Sequence, residues 1–338
     1  MPDLEKNRLM TIARQLTESD VAALEQGKEV YLGGYGVVFP QDLAKLDTAC
    51  PGWRRSKIPK EVINGTQEQS TQPNFSMEDK QDKLQAEIIP FPLWQEDQRG
   101  SPRCVLRSAL FSVIEKGKRQ ALEQVEIPAP PGSRIFFTGI QLDQFDLDVY
   151  LHCLHLAKPD LTRAFQISEK AFLKAIGRSC GKSDRMRLRK SLDRLNAAAV
   201  KIEVDLVDKV IRYSGTLIQE YYQREGTRGA VNLVKINPKL AALFDHGLWI
   251  ALDWETRKAL TGHPLAQWLH AFYSTHDAPY PYKVGKIKEL CGSEIKNLFH
   301  FRAKLKKAMR AVSKATGWQM WIDEHDCLRV EKPKDPGG

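Results

Sequence analysis

The sequence is poor in the features that would mark an exported, membrane-bound or catalytic protein. Its six cysteines, Cys50, Cys104, Cys153, Cys180, Cys291 and Cys327, lie far apart with no Cys-x-x-Cys pair, so neither a disulfide framework nor a zinc knuckle is indicated. Apolar runs such as Ala197-Ala198-Ala199-Val200 and Ile88-Ile89-Pro90-Phe91-Pro92-Leu93-Trp94 stop far short of the roughly 20 residues of a membrane span. The opening Met1-Pro2-Asp3-Leu4-Glu5-Lys6 puts charges where an export signal needs its apolar stretch. Glycines 33, 34 and 36 are not followed by Gly-Lys-Ser/Thr, and Gly181-Lys182-Ser183 lacks the preceding Gly frame, so no Walker loop exists. His-x-His, the mark of a nicking chemistry, does not occur. His152-Cys153-Leu154-His155 offers half a metal site on one helix face with no third ligand nearby and reads as structural histidines, while Asp146 and Asp148 read as ordinary surface acids. The expectation is a soluble, cytoplasmic protein that is not an enzyme and needs no cofactor or metal.

What the chain does have is length, apolar content and localised positive charge. Its 338 residues, 42% hydrophobic, suit two domains at roughly 100–200 residues each. Lys and Arg number 51 against 42 acidic residues, a net +9. Between Lys174 and Arg194 eight basic residues face two acidic ones, and between Tyr282 and Lys314 ten face two. These two segments exceed the net charge of the whole chain, so the remainder is acidic. Both have helical periodicity. In the first, Leu188, Leu192, Leu195 and Ala199 share a face opposite Arg187, Lys190 and Arg194; in the second, Leu298, Phe301, Leu305, Met309 and Val312 oppose Lys296, His300, Lys304, Lys307 and Lys314. Either helix alone would read as a solvated face.

The order of elements around them changes that reading. Ser168 caps an expected helix over Glu169–Ile176 that Gly177 ends, and after a turn the cationic helix starts at Ser183 or Asp184. Two strand-like runs, Ala199–Val204 and Lys209–Ser214, follow. The same order recurs: Lys283–Cys291 is a short helix ending at Gly292, Ser293 caps a cationic helix reaching about Thr316, and Trp318–Ile322 and Cys327–Val330 alternate like strands. Helix, turn, basic helix and hairpin is the order of a winged helix-turn-helix. The expected fold is therefore α+β, with two tandem winged helix-turn-helix domains at residues 101–247 and 248–332. A small N-terminal element (1–50), with a helix through Leu4, Ile12, Leu16, Val21 and Leu24, and a polar, largely disordered linker (51–100) precede them, and a frayed tail (333–338) follows.

A basic helix in this position fits the major groove, where side chains reach base edges while the rest of the domain touches phosphates. The candidates in the first module are Arg187, Lys190 and Arg194, with Lys182, Ser183 and Arg185 near the helix start; in the second they are Lys296, Asn297, His300, Lys304 and Lys307. Two joined modules could read major-groove faces roughly 34 Å apart, a site of about 20 base pairs. Arg107 reads as a phosphate contact or a surface charge, and Tyr280 and Tyr282 as core aromatics or DNA contacts.

The runs Leu106-Arg107-Ser108-Ala109-Leu110-Phe111 and Ile135-Phe136-Phe137-Thr138-Gly139-Ile140-Gln141-Leu142, and above all Tyr273-Ser274-Thr275-His276-Asp277-Ala278-Pro279-Tyr280-Pro281-Tyr282-Lys283 followed by Leu290-Cys291-Gly292-Ser293, resemble the TrfA family of plasmid replication initiators. The resemblance extends from about Arg103 to Val330. It implies two winged-helix domains, binding to direct repeats (iterons) in double-stranded origin DNA, and opening of the adjacent DNA with contact to single-stranded origin DNA. It also implies recruitment of the host replication initiator, the replicative helicase and the polymerase clamp, with monomers on DNA and homodimers off it limiting copy number. Relatives contact the clamp through a Gln-Leu-x-Leu-Phe-like peptide; Ile88–Trp94 departs from that pattern and stands either as such a contact or as an anchor tucked onto the first domain. The competing classes are a winged-helix transcriptional regulator binding an inverted repeat as a dimer, and a DNA-coating protein with little sequence choice.

Overall fold

The structure, a computed structural model, describes residues 91–333 except 115–118, 207–208, 227–228 and 246, with further positions between 16 and 47. By compactness the chain divides into Met1–Ile88 and Ile89–Gly338. In the first unit a helix, Glu18–Glu25, precedes the antiparallel strands Val30–Tyr31 and Val37–Val38, and Leu16, Leu24 and Leu46 are buried. Leu4, Ile12 and the polar segment from 51 to 90 lie outside the described residues.

The larger unit runs β1 (Gln98–Pro102), α1 (Arg103–Arg107), β2 (Phe111–Ser112), β3 (Ala121–Ile127), β4 (Ser133–Ile140), β5 (Leu142–Asp143), α2 (Gln144–Ala157), β6 (Phe165–Ile167), α3 (Glu169–Ala175), α4 (Lys182–Ala197), β7 (Ala199–Asp205), β8 (Val210–Thr216), β9 (Ile218–Gly226), β10 (Gly229–Ile236), a 3-10 helix (Pro238–Phe244), β11 (Trp249–Asp253), α5 (Trp254–Ala259), α6 (Pro264–Ser274), β12 (Tyr282–Lys283), α7 (Val284–Leu290), α8 (Leu298–Thr316), β13 (Gln319–Ile322) and β14 (Cys327–Glu331). The linker expected to reach residue 100 gives way to packed chain earlier. Phe91 and Trp94 lie against Phe244 with ring centroids 4.5 and 6.1 Å apart, and β1 pairs with β11. The aromatics of the 88–94 segment thus act as an anchor, because their apolar area is removed from water there.

Two hydrophobic cores form in this unit, one drawn from Trp94 to Trp254 with Ala271, the other from Leu260 to Val330. At the centre of the first is α2. Asp143 starts it with a capping box, accepting from the Phe145 and Asp146 amides while Asp146 accepts from the Asp143 amide. Every residue of α2 except Leu156 is buried, as expected of a helix surrounded by protein. Asp146 and Asp148 are therefore core acids, contrary to the surface reading. Burial of a carboxylate requires partners, and each has found arginine: Asp146 accepts from Arg194 at 2.6 Å and Arg119 at 2.8 Å, and Asp148 from Arg257 at 2.7 Å.

Of the five sheets among the described residues of this unit, three have three or more strands and belong to the two modules. In the second module the order is β12-β14-β13, so the short strand before the first helix pairs with the hairpin after the basic helix. In the first module the equivalent strand, β6, pairs with β10 of the β9–β10 hairpin. The hairpin read as the wing, now β7–β8, instead joins β4 and β3 in a four-stranded sheet of order β8-β7-β4-β3. The first module is thus a winged helix with an inserted hairpin, and its wing by strand pairing is residues 218–236.

Candidate nucleic-acid interface

The turn between the two helices is built the same way in both modules. Gly177, at φ +70, and Gly292, at φ +63, take the left-handed conformation that glycine adopts without steric cost. The Gly177 amide donates to Lys174 O at 3.1 Å and the Arg178 amide to Leu173 O at 2.8 Å; Gly292 donates to Glu289 O at 2.9 Å and Ser293 to Lys288 O at 3.1 Å. This is a Schellman stop with identical spacing. Ser293, the expected cap, closes the stop with its amide five residues before α8 begins at Leu298, and the cap of α8 is Asn297, whose Oδ1 accepts from the Phe299 amide at 2.8 Å. Likewise α4 starts at Lys182 with Gly181 at the cap position and no side-chain cap; Ser183 and Asp184 fall inside the helix, where Asp184 accepts from Ser179. Ser168 makes no cap bond to α3.

The second helices share a register. Leu188, Leu192 and Leu195 of α4 and Phe301, Leu305 and Ala308 of α8 are buried at the same spacing. In that register Arg189 matches Arg302, and each is held by a carboxylate from outside its helix: Arg189 by Glu169 at 2.6 Å, Arg302 by Asp326 at 3.0 and 2.9 Å.

Of the first-module candidates, Lys182, Ser183, Arg185, Arg187 and Lys190 are exposed. Arg185 Nε donates to Cys180 O at 3.0 Å. Arg187 lies over the Phe145 ring at 4.0 Å with Asp143 at 3.8 Å; burial of its stem lowers its pKa against the pull of Asp143. Arg194 is set apart from these, half-buried with its guanidinium on Asp146. Burial, then the neighbouring Asp143 charge, pushes the Asp146 pKa up, and Arg194 and Arg119 oppose them.

In the second module Lys296, Asn297, His300, Lys304 and Lys307 are all exposed. Lys306, Arg310 and Lys314, also exposed, extend the stripe; Lys306 and Arg310 belong to the same basic run of the sequence. Among the described residues no carboxylate pairs with Lys296, Lys306, Lys307, Arg310 or Lys314. The β9–β10 hairpin, with Tyr222 and Arg224 exposed, was not read from sequence; its alternation and the Gly226-Thr227-Arg228-Gly229 turn were the available signal.

Other candidates have structural posts. Arg107 donates to Thr275 Oγ1 and Thr275 O, both at 2.6 Å. Tyr282 is buried, edge-on to Phe272 at 5.2 Å. His155 Nδ1 accepts from Trp94 Nε1 at 3.1 Å, and His152 packs edge-on to Phe172 at 4.6 Å. Among the described residues no cluster of three His, Cys, Asp or Glu could hold a metal, and no helix is long and apolar enough to cross a membrane.

The modules are joined by a buried lock. Arg257 of α5, 1% exposed, donates to Asp148 at 2.7 Å and to Gln144 Oε1 and Gln267 O, each at 3.1 Å. Trp268 Nε1 donates to Ser108 O at 3.2 Å.

Two tandem helix-turn-helix modules, each with a cationic second helix and a strand-paired wing, define a tandem winged-helix protein. The chain belongs to the TrfA family, whose sequence model ("TrfA protein") matches residues 59–327. It is 24% identical over 236 residues to the plasmid replication initiator protein TrfA of Escherichia coli, an alignment covering 67% of this chain and 59% of that protein. The chain thus spans less than two thirds of that relative's length. Among solved structures, one of domains 2 and 3 of RctB aligns at TM-score 0.47 and 10% identity over 68% of this chain and 98% of that one. A second, of RctB domains 2-3, aligns at 0.43 and 12% over 67% and 94%.

Proposed function

We propose that the protein initiates plasmid replication in the cytoplasm by binding origin DNA, with α4 and α8 each entering a major groove of one duplex. The observation that carries this reading is the pair of matched cationic helices in one compact unit locked by Arg257 and Asp148, in a chain of the TrfA family. A fixed separation suits repeats read head to tail by a monomer, about 20 base pairs per site. Arg187, Lys190 and Lys182 in the first module, and Lys296, His300, Lys304 and Lys307 in the second, are the contacts, with Asn297 contributing chiefly as the cap of α8. Arg194 acts indirectly, by fixing α4 on Asp146. Opening of the neighbouring DNA, contact with the exposed strand, and recruitment of host initiator, helicase and clamp belong to the same proposal, as does a homodimer away from DNA.

The test is selection of bound duplexes from a random library at about 150 mM salt, since affinity without a stated salt concentration is uninterpretable, followed by footprinting on DNA of the gene's own replicon. Several equally oriented protected sites are expected. A single palindrome would replace this reading with a dimeric regulator, and no enriched sequence would leave a DNA-coating protein.

A further inference from the structure

The shared register of α4 and α8 places one large apolar side chain in each helix at the same point, two residues before the first fully buried leucine or phenylalanine. In α4 it is Met186, 50% exposed; in α8 it is Phe299, 70% exposed. Neither contributes to a core. A single exposed apolar residue is ordinary, but these two sit at matched positions, each in the first half of a cationic helix; the exposed residues next to Met186 are polar or charged, and those next to Phe299 are cationic or polar apart from Ala303 one turn on. Arg185 and Arg187 flank Met186 with Lys190 one turn on, and His300 follows Phe299, ring centroids 5.8 Å apart, with Lys296 three residues before it. That charge suits a polyanion as the occupant of both patches. In a duplex the apolar group presented to a helix in the major groove is the C5-methyl of thymine, and it distinguishes thymine from every other base. The N-terminal part of such a helix is the part that reaches base edges.

We propose that Met186 and Phe299 are an equivalent pair of base-reading residues, each packing on one thymine methyl, so that every site carries one required thymine under each module. This rests on the DNA-binding reading above and adds to it which side chains select sequence and which base they select. The surrounding lysines and arginines supply affinity without sequence choice; the two apolar groups supply part of the choice.

The experiment uses the full chain and the duplex recovered by the selection above, with each thymine replaced singly by deoxyuridine, which removes the methyl and nothing else. For the unaltered protein, two positions in separate half-sites should each weaken binding about fourfold, the worth of one buried methyl-sized group. Phe299→Ala should abolish the uracil effect at one of them and Met186→Ala at the other, with unchanged melting temperature and unchanged salt dependence, and Phe299→Met should restore it. If the variants keep the uracil sensitivity of the parent, or if no thymine is sensitive, this proposal is overturned while DNA binding stands. Failure of the parent protein to enrich any duplex would overturn this proposal together with the sequence-specific initiator reading.

Discussion

In α4 three of the four arginines, Arg187, Arg189 and Arg194, pair with carboxylates, whereas in α8 the lysines are exposed. Position for position, Arg194 sits on the buried Asp146 at 2.6 Å where the matching Lys307 is exposed. Arg187, matching His300, lies against Phe145 and Asp143. The same architecture thus divides two tasks. The first module ties two of its helix arginines to α2 and its cap, Arg194 to Asp146 and Arg187 to Asp143, and the second leaves the matching Lys307 and His300 exposed. A count of basic residues makes the two helices look alike; burial of their partners separates them.

The largest expected effect tests whether the anchoring matters. Asp146 is fully buried and Asp326, its counterpart in holding a helix arginine, has a side chain 37% exposed. Removing one partner of a buried pair leaves an uncompensated charge and costs about 3–5 kcal/mol, whereas an exposed pair is worth about 0–1 kcal/mol. Asp146→Ala should therefore lower unfolding free energy in urea by the larger amount and Asp326→Ala by the smaller. Equal losses would erase the distinction between the modules.

Acid should expose a second asymmetry. Burial, followed by nearby Arg99, Arg257 and Arg107 respectively, holds the pKa of His152, His270 and His276 down to about 3, against about 6.5 in an unfolded chain. The unfolded state then binds protons that the folded state does not, so stability is fully present above pH 6.5 and falls as pH drops toward 3. Each histidine should cost about 1–2 kcal/mol at pH 5. Two of the three belong to the second module, so His270→Leu and His276→Leu together should flatten the pH dependence of urea unfolding more than His152→Leu does. A flat profile in the parent protein would remove the basis for this difference.

The glycine stops make a finer comparison. Both have positive φ, where a non-glycine residue costs about 1–2 kcal/mol. At Gly177 an added Cβ meets the Lys258 side chain at 3.3 Å, but at Gly292 it meets Ser112 Oγ at 2.6 Å and Ser112 Cβ at 2.9 Å. A lysine side chain can yield; a buried serine hydrogen-bonded to Ala109 O has less room to move. Gly292→Ala should lower the melting temperature more than Gly177→Ala, and the reverse order would show that the second turn relaxes more easily.

These stops were legible in the sequence because a short amphipathic run closed by glycine is a local signal. So were the buried faces of α4 and α8, whose leucines repeat every third and fourth residue. The ion pair of Arg194 was not legible because it depends on Asp146, distant in sequence and buried only once α2 is enclosed. The cap of α8 was not legible because Ser293 and Asn297 have the same capping chemistry, and only the path of the chain after Gly292 puts Asn297 at the start of the helix. The first wing was assigned to the nearest hairpin, since no residue in Ala199–Thr216 records that β7 pairs with β4 rather than β6. Local order could be read; non-local pairing could not.

The smallest effect separates the matched positions most directly. If Lys307 contacts a phosphate, replacing it releases one fewer counterion on binding, and the slope of log affinity against log salt should shrink by about 0.9. Arg194, with its charge already matched by Asp146, should leave the slope unchanged when replaced by Gln, while lowering stability and weakening specific binding in proportion to the loosened helix. Measured between 50 and 200 mM salt (roughly the range over which phosphate contacts dominate affinity), Lys307→Gln and Arg194→Gln should thus move different parameters. A reduced slope in both would mean that Arg194 leaves Asp146 for the DNA when the complex forms, and α4 would then use its charge as α8 does.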